Sequence, residues 1–496
     1  MKYILALDQG TTSSRSIVYD ENLTPLASAQ QEFQQHFPEP GRVEHDAKEI
    51  RDTIFSTARE AVRKSGIDPK SLAGIGITNQ RETIVVWDRR TGEPVHRAIV
   101  WQDRRTSDQM SALRDAGKEA LIQSRTGLLL DPYFSASKLH WILREIPDGQ
   151  SRAASGELAA GTIDSWLIFQ LTGGASHVTD VSNASRTMLM NIHTGCWDSD
   201  LLNLFNISKA ILPKILPSSG HLGTATSDFL GLEIPICGAI GDQQSALFGQ
   251  LCDKPGLVKC TYGTGCFLLA FTGPDAVASA NRLLTTVAWK IGGSPLQYAV
   301  EGSVFMGGAS IQWLRDGLGI IQSAPEVNTL AAKVPDSGGV VLVPAFTGLG
   351  APYWDAEARG TLLGMTRGTT AAHIARATLD GIAFQVADLV EAMRKDSGKK
   401  IASLRVDGGA CASDLLMQTQ ADILGTPVER PSNIESTALG AAMMAGLGAG
   451  VWPDVETLSR IRNIERRFIP ETTAKDRKSR IKIWKRAVKR AQHWIS

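Results

Sequence analysis

Short apolar runs recur along the chain, each broken by a polar or glycine-rich turn. Tyr3-Ile4-Leu5-Ala6-Leu7 runs into Asp8-Gln9-Gly10-Thr11-Thr12-Ser13-Ser14-Arg15, and residues 3–7 and 16–19 are predicted to pair as strands around that turn. Residues 46–65 follow a helical period, with Ile50, Ile54, Ala58 and Val62 on one face. The run 72–78 reads as a strand ending in the polar cluster Thr78-Asn79-Gln80-Arg81-Glu82, and 84–87 and 98–101 read as two more strands. Further on, 234–240 is a predicted strand, 241–244 (Gly-Asp-Gln-Gln) a turn, and 245–249 the start of a helix.

Past a boundary placed at 247–257 the pattern restarts. It predicts a hairpin (258–271) around Thr261-Tyr262-Gly263-Thr264-Gly265, a helix (303–317), a strand (339–343), a helix (371–394), a strand (402–406) and helices at 413–424 and 435–447. Recurrence of the opening hairpin suggests duplication at the level of the fold. Two units are expected, 1–247 and 248–496, the second ending in a basic amphipathic helix (473–495) whose Ile481, Trp484, Val488 and Ala491 form a docking stripe.

Composition narrows the class. With 52 basic and 51 acidic side chains the net charge is +1, so nothing draws the chain toward nucleic acid. Forty-three per cent hydrophobic residues over 496 positions suit an α/β enzyme with large cores. The six cysteines contain no Cys-x-x-Cys pair, which argues against zinc and for a reduced, cytoplasmic protein. The first apolar run ends at Asp8, too short for a signal peptide, and membrane insertion is not expected.

The turns carry the candidate chemistry. Gly10 permits a tight bend, while Thr11, Thr12, Ser13 and Arg15 supply hydroxyls and charge for a phosphate. Asp8 could hold Mg²⁺. No Gly-x4-Gly-Lys-Ser/Thr is present, so a P-loop is excluded. The Gly263-Thr264-Gly265 turn repeats this logic without an acid, and Asp407-Gly408-Gly409-Ala410 brings backbone close to a flat or anionic ligand. On spacing alone Asp242 reads as a helix N-cap, with a proton-accepting carboxylate as the alternative. From composition, Arg81-Glu82 reads as a surface ion pair. With Trp101 and Tyr133 it could instead bind vicinal hydroxyls.

Taken in order, these stretches resemble the carbohydrate-kinase family that includes glycerol, xylulose and gluconate kinases, within the actin-like superfamily. The resemblance is carried by residues 6–15, 76–83, 241–244, 262–267 and 344–354 and runs from residue 3 to about 452. It implies two actin-like (ribonuclease-H-like) α/β lobes with a nucleotide cleft between them, and ATP- and Mg²⁺-dependent phosphorylation of glycerol to sn-glycerol 3-phosphate by a homo-oligomer, dimer or tetramer. A kinase of another small polyol or ketose is the alternative.

By similarity, Arg81, Glu82, Tyr133, Asp242 and Gln243 bind the hydroxyls, Trp101 and Phe267 line the carbon edge, and Asp242 is the general base. Thr11, Thr12, Ser13 and Arg15 contact phosphates; Thr264, Gly308, Gln312 and Gly409 hold the nucleotide; Asp8 lies on the metal side. Two positions depart from the family pattern. Ser413 stands where an adenine-contacting Asn is common. Leu232-Glu233-Ile234-Pro235 puts an acid where some members bind fructose 1,6-bisphosphate, so that inhibition is expected to be weak or absent.

Overall fold

Each half of the chain is built on one mixed sheet, and the two sheets share a strand order. The computed structural model describes residues 1–495. The first sheet runs Ser219–Ala225, Ile234–Gly241, Leu72–Asn79, Tyr3–Gln9, Ser13–Tyr19, Pro25–Glu32. The second runs Ile464–Phe468, Val428–Pro431, Ser403–Asp407, Leu257–Tyr262, Cys266–Gly273, Gln297–Val304, with Leu284–Trp289 added at the edge. From the outer strand inward both read antiparallel, parallel, parallel, antiparallel, antiparallel. The duplication suggested by the sequence is visible in this matched topology.

Burial on both faces explains the unbroken apolar runs. Ile4, Leu5, Ala6 and Leu7 are all buried, so the strand has no solvent face to mark by alternation. The helix Ala47–Ser65 covers one face of the first sheet. Asp46 caps it by accepting from the Lys48 and Glu49 amides, and Gly66 at φ 69° ends it.

The elements following the two sheets are exchanged across the middle. Helix Asp242–Gly249 leaves the first sheet and touches strands of the second. Helix Ser436–Gly448 leaves the second sheet and lies on strands Leu72–Asn79 and Ile234–Gly241 of the first. The two helices pack backbone against backbone, and Ser245 Oγ donates across the contact to the Thr437 oxygen at 2.6 Å. A Cβ on Gly440 would stand 1.9 Å from the Ser245 carbonyl oxygen, and one on Gly249 would stand 2.1 Å from that of Ser436. Gly76 meets the same helix, its Cβ position 2.2 Å from the Ala441 oxygen.

Several boundaries differ from expectation. Residues 241–244 are not a turn: Gly241 is extended and the helix starts at Asp242. The helix expected at 303–317 begins at Gly308, because Ser303 and Val304 close a strand, Ser303 pairing with Phe267. The strand expected at 98–101 stops at Ile99. The last helix spans Ala474–Ala491 and docks through its apolar stripe, Trp484 stacking on Phe384 at 5.2 Å and donating to Asp388 Oδ2 at 2.6 Å. Among the described residues no helix is long and apolar enough to cross a membrane.

Gly440→Ala should drive a methyl into the Ser245 carbonyl and destabilise the protein by about 1–3 kcal/mol. Thermal unfolding checks this: a Tm matching the parent would mean the two helices separate freely.

Candidate active site

Three parallel strands deliver their carboxyl ends to one place. Asp8 pairs in register with Thr78, and Asn79 with Gly241, so Asp8, the segment Gln80–Thr83 and Asp242 converge at the edge of the first sheet. Ligands of open α/β sheets bind at such carboxyl ends.

The first turn is braced from below. The Gly10 amide donates to the Ser13 oxygen at 2.9 Å, and Gln80 Nε2 donates to Gln9 Oε1 at 3.0 Å and to the Gly10 oxygen at 3.1 Å. Thr12 faces solvent. Thr11 Oγ1 accepts from Trp101 Nε1 at 3.0 Å, and the Trp101 ring stands edge-on to Tyr133 at 5.5 Å. The turn and the aromatic wall are therefore one assembly. Gln30 engages two of its polar side chains: its Nε2 donates to Ser13 Oγ at 2.9 Å, and its Oε1 accepts from Arg15. Arg15 also pairs with Glu435 of the second half.

Arg81 and Glu82 are not a surface pair. Their exposures are 2% and 1%, and they approach each other only at 3.8 Å. Arg81 Nε faces Asp242 Oδ1 at 3.1 Å, and its Nη1 donates to Gln244 Oε1 at 3.1 Å. Glu82 accepts from Arg186 Nε at 2.6 Å. Glu82 also sits at φ 62°, a left-handed conformation that glutamate rarely adopts. Its carbonyl accepts from Ser135 Oγ at 2.8 Å, and such strain concentrates at functional sites.

Nor is Asp242 the N-cap: Gly241 fills that position, and Asp242 Oδ1 accepts from the next amide, Gln243, at 2.6 Å. Burial pushes the Asp242 carboxyl above the usual range, against the pull of Arg81, the Gln243 amide and Lys259. Gln243 Oε1 accepts from Lys259 Nζ at 2.6 Å, so its amide group is fixed by a buried ammonium.

The second half places its glycine turns side by side, because Thr261 and Asp407 pair in parallel register. Gly263 closes on the Gly265 oxygen at 2.9 Å, and the amides of Gly307 and Gly308 donate to Thr264 and Gly263 oxygens, each at 2.8 Å. Gly308 serves close approach here, since a Cβ would sit 2.8 Å from the Gly263 oxygen. Gly408 at φ 82° packs against the Tyr262 backbone, leaving Gly409 exposed beside it. Thr264 and Gln312 are exposed, and Phe267 is half-buried on the hairpin. Ser413 caps the helix Asp414–Leu424, accepting from the Leu416 amide at 3.1 Å, and donates to Asn328 Oδ1. Glu233 is exposed ahead of strand Ile234–Gly241.

Sequence reasoning missed Lys259, Arg186 and Glu301. Glu301 carried the clearest signal, a lone charge inside the apolar run Tyr298-Ala299-Val300-Glu301-Gly302. No comparable cue marked Arg186.

Asp8 is a strand-end carboxylate that its surroundings compensate poorly. Burial raises its carboxyl to about 7, with Arg15 opposing and Asp242 and Glu435 adding to the rise. A carboxylate that its own surroundings compensate this poorly, at the end of a strand facing hydroxyl-rich turns, fits a hard divalent ion shared with phosphate oxygens.

The family model for the N-terminal domain of the FGGY family of carbohydrate kinases matches residues 3–249, and that for the C-terminal domain matches residues 258–449. The chain belongs to the FGGY carbohydrate kinases. This FGGY kinase is 59% identical over 495 residues to a glycerol kinase of Trichlorobacter lovleyi, covering 100% of this chain and 99% of that one. It is 57% identical to a glycerol kinase of Aromatoleum aromaticum, with all of both chains covered. The structure of Plasmodium falciparum glycerol kinase with ADP superposes with a TM-score of 0.94 at 38% identity, covering 99% of this chain and 98% of that one. The actin-like two-lobe α/β class expected from the sequence is the class of these structures.

Asp8→Asn should raise the Tm of the ligand-free kinase. The folded carboxyl titrates near 7 against 3.8 for its ordinary value, so the folded state binds the extra proton and wild-type stability falls as pH rises between those values. The gain from the amide should therefore be full above pH 7 and shrink toward pH 4. Equal gains at pH 5 and pH 8 in melting scans would contradict the assignment.

Proposed function

We propose that this FGGY kinase transfers the γ-phosphoryl group of ATP to glycerol, forming sn-glycerol 3-phosphate and ADP. The observation that carries the reading is the buried pair Arg81 and Glu82, with partly exposed Asp242, close to the Tyr133 ring on which Trp101 stands edge-on. A compact triol offers hydroxyls for a guanidinium to donate to and carboxylates to accept from, and a carbon edge for the rings. Support comes also from the full-length likeness to proteins named glycerol kinase.

Phosphoryl transfer asks the protein mainly for positioning and charge stabilisation. Arg81 Nε holds Asp242 at 3.1 Å, and the Gln243 amide donates to the same Oδ1. Both contacts fix the carboxylate so that its free oxygen can take the proton from the attacking hydroxyl. Its raised affinity for protons matches that role. Thr11, Thr12 and Ser13 would meet the phosphates from the first half, and Thr264 from the second. Gly308, Gln312, Gly409 and Ser413 would line the nucleoside side, where Ser413 has its oxygen committed to a helix cap. Asp8 would hold Mg²⁺, which when bound neutralises phosphate charge. Five of the six free cysteines are buried, and we place the enzyme in the cytoplasm on that account.

Glycerol-dependent ADP formation tests the reading. Turnover of xylulose or gluconate above that of glycerol would end it. Asp242→Asn should lower kcat by about 10²–10⁴ if the carboxylate is the base. A variant turning over at near the parental rate would remove that role.

A further inference from the structure

The polyol pocket is completed by a residue from the other half of the chain. Glu301 lies within strand Gln297–Val304, paired in register with Leu269 of the hairpin strand, and is 3% exposed. Both its oxygens are committed. Oε2 accepts from Arg81 Nη1 at 2.6 Å, and Oε1 accepts from Arg81 Nη2 at 3.0 Å and from Arg186 Nη2 at 3.1 Å. Arg186 in turn donates to Glu82. A buried chain of opposite charges therefore runs Asp242, Arg81, Glu301, Arg186, Glu82, and its central link comes from the second half.

Two buried guanidiniums need this carboxylate. Removing one partner from such a cluster leaves uncompensated charge that the remaining groups must absorb. Without Glu301 the Nη donors of Arg81 have only Gln244 as a close acceptor, and they would turn toward Asp242 and Glu82. Burial alone would raise the Glu301 carboxyl, yet Arg186 and Arg81 hold it down at about 2, so it stays ionised at any working pH. Strand Gln297–Val304 then leads within a few residues to Gly307 and Gly308, whose amides bind the Thr264 and Gly263 oxygens of the second turn. One strand thus braces both the hydroxyl-reading groups and the hairpin assigned to phosphate.

We propose that Glu301 is a positioning residue of the polyol site, fixing Arg81 and Arg186 from the second half so that polyol binding and nucleotide binding are energetically linked. Linkage of this kind is reciprocal: whichever ligand binds first tightens the other. The inference rests on the reading of this pocket as the polyol site.

The test uses Glu301→Gln, which keeps the shape and removes the charge. The KM for glycerol should rise about tenfold or more, as expected for loss of a charged hydrogen-bonding partner. The Kd of a non-hydrolysable ATP analogue measured without glycerol should move by less than about threefold, because the nucleotide's own contacts are untouched. Calorimetry of glycerol binding should show tightening by a non-hydrolysable ATP analogue in the parent and little or none in the variant. Glu301→Asp restores the carboxylate at shorter reach and should recover part of both effects. It carries the test alone if the Gln protein does not fold. A comparable rise in the analogue's Kd without glycerol, or an unchanged analogue effect, would overturn the proposal. A parent that forms no ADP with glycerol would instead fail the reading of the pocket. The same measurements would then be made with whichever polyol it does turn over.

Discussion

Two helices in direct backbone contact decide how the halves of this kinase meet. Helix Asp242–Gly249 follows a strand of the first sheet and helix Ser436–Gly448 a strand of the second, and each packs against the other sheet. At Gly249 and Gly440 their backbones touch, and the Ser245 hydroxyl ties one helix to the Thr437 oxygen of the other. Contacts this close have a single distance and no rotamers to repack. They also explain why the second helix reads Ala-Leu-Gly-Ala-Ala-Met-Met-Ala-Gly: small residues let it sit on the first sheet, where Gly76 and Gly238 receive it. Because Asp242 opens one of these helices, the orientation of the proposed base follows from the way the halves are joined.

On that frame the site concentrates features that stability alone would not favour. Glu82 is held in a left-handed backbone conformation, Asp8 is a poorly compensated carboxyl, and Lys259 is an ammonium with no exposure, whose affinity for its proton burial lowers. Two of the three are tolerable because neighbours over-determine them: Ser135 grips the Glu82 carbonyl, and Gln243 and Thr261 take two of the Lys259 protons. The charge chain through Arg81 and Arg186 follows the same rule. Every carboxylate in it has a guanidinium within reach, and rigidity is the product.

The sheets were legible because burial on both faces writes continuous apolar runs, and the glycine-rich turns because they break those runs abruptly. The strands Leu284–Trp289 and Gln297–Val304 were not recognised, and with them Glu301 was lost. Its significance lies in Arg81 and Arg186, 220 and 115 positions away, a proximity that no local pattern encodes. Asp242 misled differently. Its place before Ser-Ala-Leu resembles a cap, but Gly241 takes up the extended cap position and leaves the carboxylate free of that duty. The Ser413–Asn328 contact had no signal in sequence, since it joins two elements 85 positions apart.

The glycine contact between the helices also acts mechanically. Backbones in direct contact leave little room for sliding, so a rotation of one half on the other would pivot close to this joint. In such a rotation displacement would grow with distance from Gly249 and Gly440. The exposed tip at Thr264 is then an indicator of rotation, and a spectroscopic label on it would read out angles that one near Gly440 would miss.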